Sequence, residues 1–259
     1  MLDAASYVWR VLNELVADAA RITVLTGAGI STDSGIPDYR GPNGLWTRNP
    51  EAARMSTLAD YVADPEVRRR AWQSRTTHPA WTAQPNDGHR ALVALERSGR
   101  LIALLTQNVD ELHQRAGSDP GIVVELHGTI WTAECLDCHA RTPMADELAR
   151  VSDDLPDPPC RACGGILKSA TISFGQQLDP LVVERAVKAA TQCDVFLAIG
   201  SSLTVQPAAG LCHVAVDAGA ALVVVNAEAT PYDGLAALVI RAPISETLAA
   251  LTGTLGGVR

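Results

Sequence analysis

Ile22-Thr-Val-Leu-Thr26, running directly into Gly27-Ala-Gly-Ile-Ser-Thr-Asp-Ser-Gly-Ile-Pro-Asp-Tyr-Arg-Gly41, is the stretch on which the fold turns. Its first five residues are apolar or β-branched without polar alternation, which reads as a short strand buried on both faces, as in parallel sheets. At Gly27-Ala28-Gly29 the missing Cβ atoms permit a tight turn and a close approach to a pyrophosphate, whose charge is favoured at the start of a following helix. Strand, glycine turn and helix open a nucleotide-binding α/β unit. The continuation Gly35-Ile-Pro-Asp-Tyr-Arg-Gly41 has no role in the ordinary dinucleotide fingerprint. No clear acidic residue stands at a strand end about 20 positions on, as that fingerprint requires.

Working outward, residues 4–20 carry apolar side chains at Val8, Leu12, Leu15, Val16 and Ala19, a helical period. Further buried-strand candidates are Leu101–Thr106, Ile122–Leu126, Asp194–Ile199 and Ala221–Asn226, with helical stretches at Gly88–Arg97, Leu181–Ala190 and Ala208–Ala218. This alternation predicts a Rossmann-like α/β domain, a parallel sheet with helices on both faces. Two segments interrupt it. Residues from about 42 to 85 hold three tryptophans, many charges and no clear strand, and read as a helical insert. Residues 130–170 read as a smaller inserted lobe, leaving 1–129 and 171–259 to the sheet domain.

That lobe contains two C-x-x-C pairs, Cys135/Cys138 and Cys160/Cys163, with a Pro-rich loop between them. Four thiolates at this spacing close a tetrahedral zinc site and leave no position for a catalytic water, so the zinc is expected to be structural. A disulfide framework is not expected in a reducing compartment. Cys193 and Cys212 lie in apolar segments and read as core residues.

The chain has 21 Lys and Arg against 29 Asp and Glu, a net charge of −8, which disfavours nucleic acid as the main partner. It has no apolar run of membrane-spanning length. The N-terminal stretch, with Asp3 and Glu14, has no basic region of the signal-peptide kind. The expectation is a cytoplasmic protein without a membrane partner.

The fifteen residues from Gly27 to Gly41 closely resemble the NAD-binding signature of the sirtuin family. Further blocks agree in order: Thr106-Gln-Asn-Val-Asp110 with Leu112-His113, Glu125-Leu-His-Gly128, Gly200-Ser-Ser-Leu203 with Pro207, and Val224-Val-Asn226. The resemblance spans residues 23–232. It implies an NAD-dependent protein-lysine deacetylase or deacylase of prokaryotic type, with NAD consumed as co-substrate and acyl-lysine proteins or peptides as partners. Gly27, Ala28, Gly29, Ile36, Pro37, Asp38, Tyr39 and Arg40 are then expected to bind NAD. Gln107, Asn108 and Asp110 are expected at its nicotinamide end, and Gly200, Ser201, Ser202, Asn226, Ala227 and Glu228 at its phosphates and adenosine ribose. Asn108, Asp110 and His127 form the expected catalytic set. Ile172, Phe174, Gly175 and Val205 are expected at the acyl-peptide.

An imidazole suits a general base because its pKa lies near working pH. His127 just past an apolar strand matches the family's catalytic position, whereas His113 matches a structural one. The implied reaction begins with attack of the acyl-lysine amide oxygen on the nicotinamide ribose as nicotinamide departs. His127 then takes a proton from the ribose hydroxyls, and water finally releases lysine and O-acyl-ADP-ribose. Mono-ADP-ribosyl transfer is the alternative, since the same NAD site supports it. A dehydrogenase is disfavoured because no hydride-transfer apparatus follows the glycine turn. An NAD-sensing module is disfavoured because the Gln107, Asn108, Asp110 and His127 set is intact. Tyr39, Glu111, Ser173 and Gln176 depart from the usual Phe, Gly, aromatic and Glu. Trp72-Gln-Ser-Arg75 lacks the Tyr/Arg pair of relatives that prefer acidic acyl groups.

Overall fold

The computed structural model describes residues 4–255, and the apolar segments read from the sequence pair side by side within it. In chain order the strands are β1 (Ile22–Thr26), β2 (Leu101–Thr106), β3 (Val123–Glu125), β4 (Gly128–Cys135), β5 (Arg141–Pro143), β6 (Leu167–Thr171), β7 (Val195–Ile199), β8 (Ala221–Val225) and β9 (Leu238–Ile240). The helices are α1 (Ala4–Asp18), α2 (Leu45–Arg48), α3 (Leu58–Ala63), α4 (Pro65–Thr76), α5 (Asp87–Arg97), α6 (Leu112–Ala116), α7 (Met144–Leu148), α8 (Pro180–Gln192), α9 (Leu211–Asp217) and α10 (Ile244–Leu255).

Six strands form one sheet in the order β3-β2-β1-β7-β8-β9, and every neighbouring pair is parallel. All five residues of β1 and all five of β7 are buried. Their continuous apolar character follows from cover on both faces. One core joins Ile22, Val24, Leu104 and Leu197 to Leu12 and Val16 of α1, Leu92 of α5 and Leu248 of α10. The other joins Leu25, Leu105, Phe196 and Val224 to Ala186 and Ala190 of α8 and Cys212 of α9. Cys193 and Cys212 are buried, as read from the sequence.

Strand order reverses direction between β1 and β7, which places a crevice outside their carboxyl ends. The helix after the glycine run is a 3-10 helix, Ala28–Ser34, and the helical stretch from Ala208 opens with a 3-10 turn before α9. Strand β9 was missed because three apolar residues carry too little periodicity to separate from loop. The stretch from 42 to 85 is helical cover as expected, built from α2, a 3-10 helix at Pro50–Ser56, α3 and α4.

The cysteine lobe is a separate antiparallel sheet in the order β5-β4-β6. It enters at Gly128 and leaves at Thr171, and those two residues pair across the neck. Gly128 has φ +72°, and a Cβ there would lie 2.1 Å from the Ala170 oxygen, so no other residue fits. Asn86, just past the helical insert, ties the start of α5 to the glycine segment. Its Oδ1 accepts from Gly88 N at 2.9 Å and caps α5, a contact worth about 1 kcal/mol. Its Nδ2 donates to Ile30 O at 2.8 Å and Ser34 Oγ at 2.9 Å in the glycine segment.

Candidate active site

The carboxyl ends of five strands converge on the crevice: β1 delivers Gly27, β2 Gln107, β3 His127, β7 Gly200 and β8 Asn226. At its centre the two glycine loops touch. Gly27 N donates to Ile199 O at 2.9 Å and Gly29 N to Gly200 O at 2.8 Å. A Cβ on Gly27 would lie 2.7 Å from Gly200 O, and one on Gly29 would lie 2.8 Å from Gly200 Cα. Gly200 itself has φ +63° and meets Ile30 N. Contact between the two loops therefore requires these glycines, in addition to the tight turn and pyrophosphate approach expected from the sequence.

Beside that contact lies a buried polar cluster. Ser31 is 1% exposed, Asp110 5% and Asn108 8%, so each needs partners within the protein. Ser31 Oγ donates to Asp110 Oδ2 at 2.8 Å and accepts from Asn108 Nδ2 at 3.1 Å. The other Asp110 oxygen accepts from Leu112 N at 3.0 Å. Burial raises the Asp110 pKa, and the bonds from Leu112 and Ser31 oppose that rise. Gln107 Nε2 donates to Ser201 Oγ at 2.9 Å, which links the end of β2 to the loop after β7.

His127 is half-buried, with Nδ1 3.1 Å from the Gln107 carbonyl oxygen. A carbonyl only accepts, so Nδ1 carries the hydrogen and Nε2 keeps its lone pair. Burial lowers the His127 pKa and outweighs the contrary pull of that carbonyl. The ring is thus neutral at working pH with Nε2 ready to take a proton. His113 is different. It is 1% exposed, with Nε2 2.9 Å from Thr26 Oγ1 beneath the sheet end, and burial holds its pKa well below the usual value.

The loop after the 3-10 helix folds over the crevice. Asp38 Oδ1 accepts from Gly41 N at 3.2 Å, and Asp38 O accepts from Leu45 N at 2.8 Å. Ile36 is buried, whereas Pro37 and Arg40 are exposed. The Tyr39 ring lies 4.6 Å from Trp46, which lies 5.4 Å from Phe174, and the Arg40 guanidinium sits 4.6 Å from the Trp46 centroid. Desolvation, with Asp110 nearby, raises the Tyr39 pKa, so its hydroxyl stays protonated.

Phe174 is 39% exposed, large for an aromatic side chain. Its backbone is already paired: Phe174 N donates to Ser56 O at 2.8 Å and Phe174 O accepts from Leu58 N at 2.9 Å. Ile172 N donates to His127 O at 2.9 Å, and Ser173 N donates to the Gln176 side-chain oxygen at 3.2 Å. Gly175 is exposed and Val205 half-buried. At the far end of the crevice, Asn226 Nδ2 donates to Glu228 O at 2.9 Å. Arg241 donates to Asn226 O and Glu228 O, each at 2.8 Å, and so shapes the loop through exposed Ala227. Ser202 Oγ lies 3.0 Å from Thr204 Oγ1.

In the lobe, the Cys135 and Cys163 sulfurs are 3.5 Å apart and those of Cys138 and Cys160 3.7 Å. All four lie within 4.8 Å of one another. A tetrahedral zinc with Zn–S bonds of about 2.3 Å has sulfur–sulfur edges of about 3.8 Å, so the quartet fits that ion. Asp137 N and Gly165 N each point at a cysteine sulfur at 3.4 Å, donors that favour thiolates.

The Sir2 family pattern matches residues 27–207. The chain belongs to the Sir2 family. Among its relatives, a protein of Streptomyces coelicolor described as NAD-dependent protein deacetylase 2 is 56% identical over 235 residues, covering 91% of this chain and 98% of that one. A solved structure bearing on the mechanism and regulation of Sir2 enzymes superposes with a TM-score of 0.87 at 36% identity, covering 98% of this chain and 99% of that one. A Sir2 complex with deacetylated p53 peptide and 3′-O-acetyl ADP ribose gives 0.86 at 31% identity, covering 96% and 99%. This Sir2 chain is an NAD-dependent protein deacetylase: it uses NAD as co-substrate and transfers acyl groups to ADP-ribose.

Two residues of the Sir2 site escaped the sequence reading. Ser31 lay inside the glycine signature, but nothing in its spacing marks it as the bridge between Asn108 and Asp110. Arg241 is distant in sequence from the loop it holds, and a lone arginine after an apolar triplet carries no signal.

Proposed function

We propose that this Sir2 enzyme removes acyl groups from protein lysines, with His127 as general base and Asn108 and Asp110 positioning the nicotinamide ribose. The observation that carries the assignment is the His127 tautomer: Nδ1–H is committed to Gln107 O, which leaves Nε2 as acceptor at the crevice. NAD supplies the electrophilic ribose carbon and the ADP-ribose acceptor. Asn108 and Asp110, fixed through Ser31, orient that ribose, because positioning a reacting centre contributes several kcal/mol to a rate. Nε2 of His127 withdraws the ribose hydroxyl proton and holds it as an imidazolium. Tyr39 covers the site and limits access of water.

Gly27, Ala28, Gly29, Gly200, Ser201 and Ser202 are assigned to the diphosphate, and Asn226, Ala227 and Glu228 to the adenosine end. These residues line the switch-point crevice where such folds bind nucleotides. Acyl-lysine peptides enter beside Ile172, Phe174, Gly175 and Val205. Phe174 is not itself the pairing edge, since Ser56 and Leu58 occupy both its backbone groups. The division into a sheet domain, residues 1–129 and 171–259, and a zinc lobe at 130–170 belongs to the same proposal. It is supported by the two separate sheets. No helix among the described residues is long and apolar enough to cross a membrane.

His127→Ala is expected to abolish release of lysine and O-acyl-ADP-ribose, followed by mass spectrometry, while NAD binding by calorimetry persists. Full deacylation by that variant refutes the assignment. Labelled protein in place of O-acyl-ADP-ribose in the wild type refutes the reaction.

A further inference from the structure

Glu111 holds a left-handed backbone, φ +59° and ψ +17°, at the start of α6. Glycine adopts that conformation freely, whereas a residue with a Cβ is strained in it. Such strain persists where the surroundings hold the residue in place, and strained sites cluster near chemistry. The Glu111 side chain makes no cap for its own helix. Asp110 Oδ1 does that, accepting from Leu112 N. Glu111 reaches instead across 18 positions to the entry strand of the cysteine lobe, where Thr129 Oγ1 donates to its Oε1 at 2.8 Å. Both residues are half-buried, so water competes less for that bond than at an open surface.

That bond is one of three in succession along β4. Ile130 N donates to Val109 O at 3.1 Å, and Trp131 Nε1 donates to Asp110 O at 3.1 Å. Those two end on backbone oxygens and need no particular side chain at 109 or 110. The Thr129 bond exists only because residue 111 carries an acceptor. It also orders the hydroxyl that accepts from Trp131 N at 3.2 Å. Upstream, His127 Nδ1 meets the Gln107 carbonyl. The segment from His127 to Trp131 is thus fastened along the loop from Gln107 to Glu111. Asp110 is held independently by Ser31, so loss of the Glu111 bond frees the His127 side and leaves Asp110 anchored.

We infer that Glu111 is a positioning residue for deacylation: by clasping Thr129 it fixes where the strand end bearing His127 stands relative to Asp110 when the ribose hydroxyl proton is withdrawn. The inference rests on the roles proposed above for His127 and Asp110. A base must stand within about 3.2 Å of the proton it takes, so a shift of about 1 Å at His127 is felt in the chemical step. The loop that carries Gln107, Asn108 and Asp110 keeps its contacts to Ser201 and Ser31, so NAD binding is spared.

The test compares Glu111→Gly, Glu111→Gln and Thr129→Val by steady-state deacylation of an acetyl-lysine peptide and by calorimetric NAD binding. Glycine suits the left-handed backbone, and glutamine keeps the acceptor oxygen. Glu111→Gly and Thr129→Val are each expected to lower kcat about tenfold, with the peptide KM and the NAD Kd within about twofold of wild type. The double variant Glu111→Gly/Thr129→Val is expected to lose no more than either single variant. Glu111→Gln is expected to keep kcat within about twofold. Unchanged kcat in Glu111→Gly overturns the inference. A fall in Glu111→Gln as deep as in Glu111→Gly assigns the effect to charge and overturns the clasp. Losses that multiply in the double variant separate the two residues and overturn it too. A raised NAD Kd with kcat intact places Glu111 in cofactor binding, which again overturns it. Wild-type enzyme that releases no lysine overturns the deacylase reading and this inference together.

Discussion

Ser31→Ala isolates the buried cluster from the rest of the site. The hydroxyl donates to Asp110 at 2.8 Å and accepts from Asn108 at 3.1 Å, and the three side chains are all under 10% exposed. Alanine leaves one carboxylate oxygen and one amide hydrogen buried without these partners. A lost hydrogen bond to a charged group costs about 1.5–3 kcal/mol, and the orphaned amide adds to it, so about 2–3 kcal/mol is expected. In a chain of this size that lowers Tm by roughly 4–12 °C. Burial already raises the Asp110 pKa, and Ser31 is among the bonds that restrain it. The variant's penalty is therefore largest at neutral pH, where the carboxylate is ionised, and shrinks as the medium becomes acidic enough to protonate it. Calorimetric Tm at pH 7.5 and 5, together with KM for NAD, measures both consequences. A double-mutant cycle with Asp110→Asn should show a coupling above about 1 kcal/mol. A Tm within 1 °C of wild type and unchanged KM, or no coupling in the cycle, refutes the wiring argued from these distances.

Metal analysis is expected to give about one zinc per chain. Stripping it should collapse the lobe core of Trp72, Met144 and Leu167, with loss of the near-ultraviolet tryptophan signal and of activity. Metal-free protein that keeps both contradicts a structural zinc. Burial, with Arg75 alongside, lowers the Lys168 ammonium to about 8, whereas an unfolded lysine titrates near 10.4. Between those values the unfolded chain binds more protons, so stability rises with pH across that window and the contribution is unfavourable below it. Lys168→Met should remove a rise of about 3 kcal/mol in denaturant unfolding between pH 7.5 and 10.5, and an identical slope in wild type and variant refutes a buried ammonium.

The strand-end residues were legible because each follows an apolar run too short for a helix and too continuous for a half-exposed strand. That pattern identifies Gln107, His127 and Gly200 as groups at one edge of a parallel sheet before any contact is known. The cysteine quartet was legible for a similar reason, since its ligand spacing is local. Contacts made across long sequence separations were not. Ser31 meets Asp110 across 79 positions, and Arg241 grips a loop fifteen residues upstream. Gln176 was read as a departure from the usual Glu. Its function as cap of the Ser173 amide needs a loop conformation that side-chain identity does not specify.

The glycines acquire a different meaning once the loops are assembled. Gly27 and Gly29 can lie against Gly200 only without Cβ atoms, and that contact fixes the loop that carries Ser201. Ser201 Oγ accepts from the Gln107 side chain, and the Gln107 carbonyl in turn accepts from His127 Nδ1. The His127 ring is therefore held at the end of a chain of contacts that begins where the strand order reverses between the parallel neighbours β1 and β7. A switch point ordinarily explains where a nucleotide binds. Under the roles proposed above, the same crossing also orients His127, so the assigned cofactor site and the assigned base share one set of contacts.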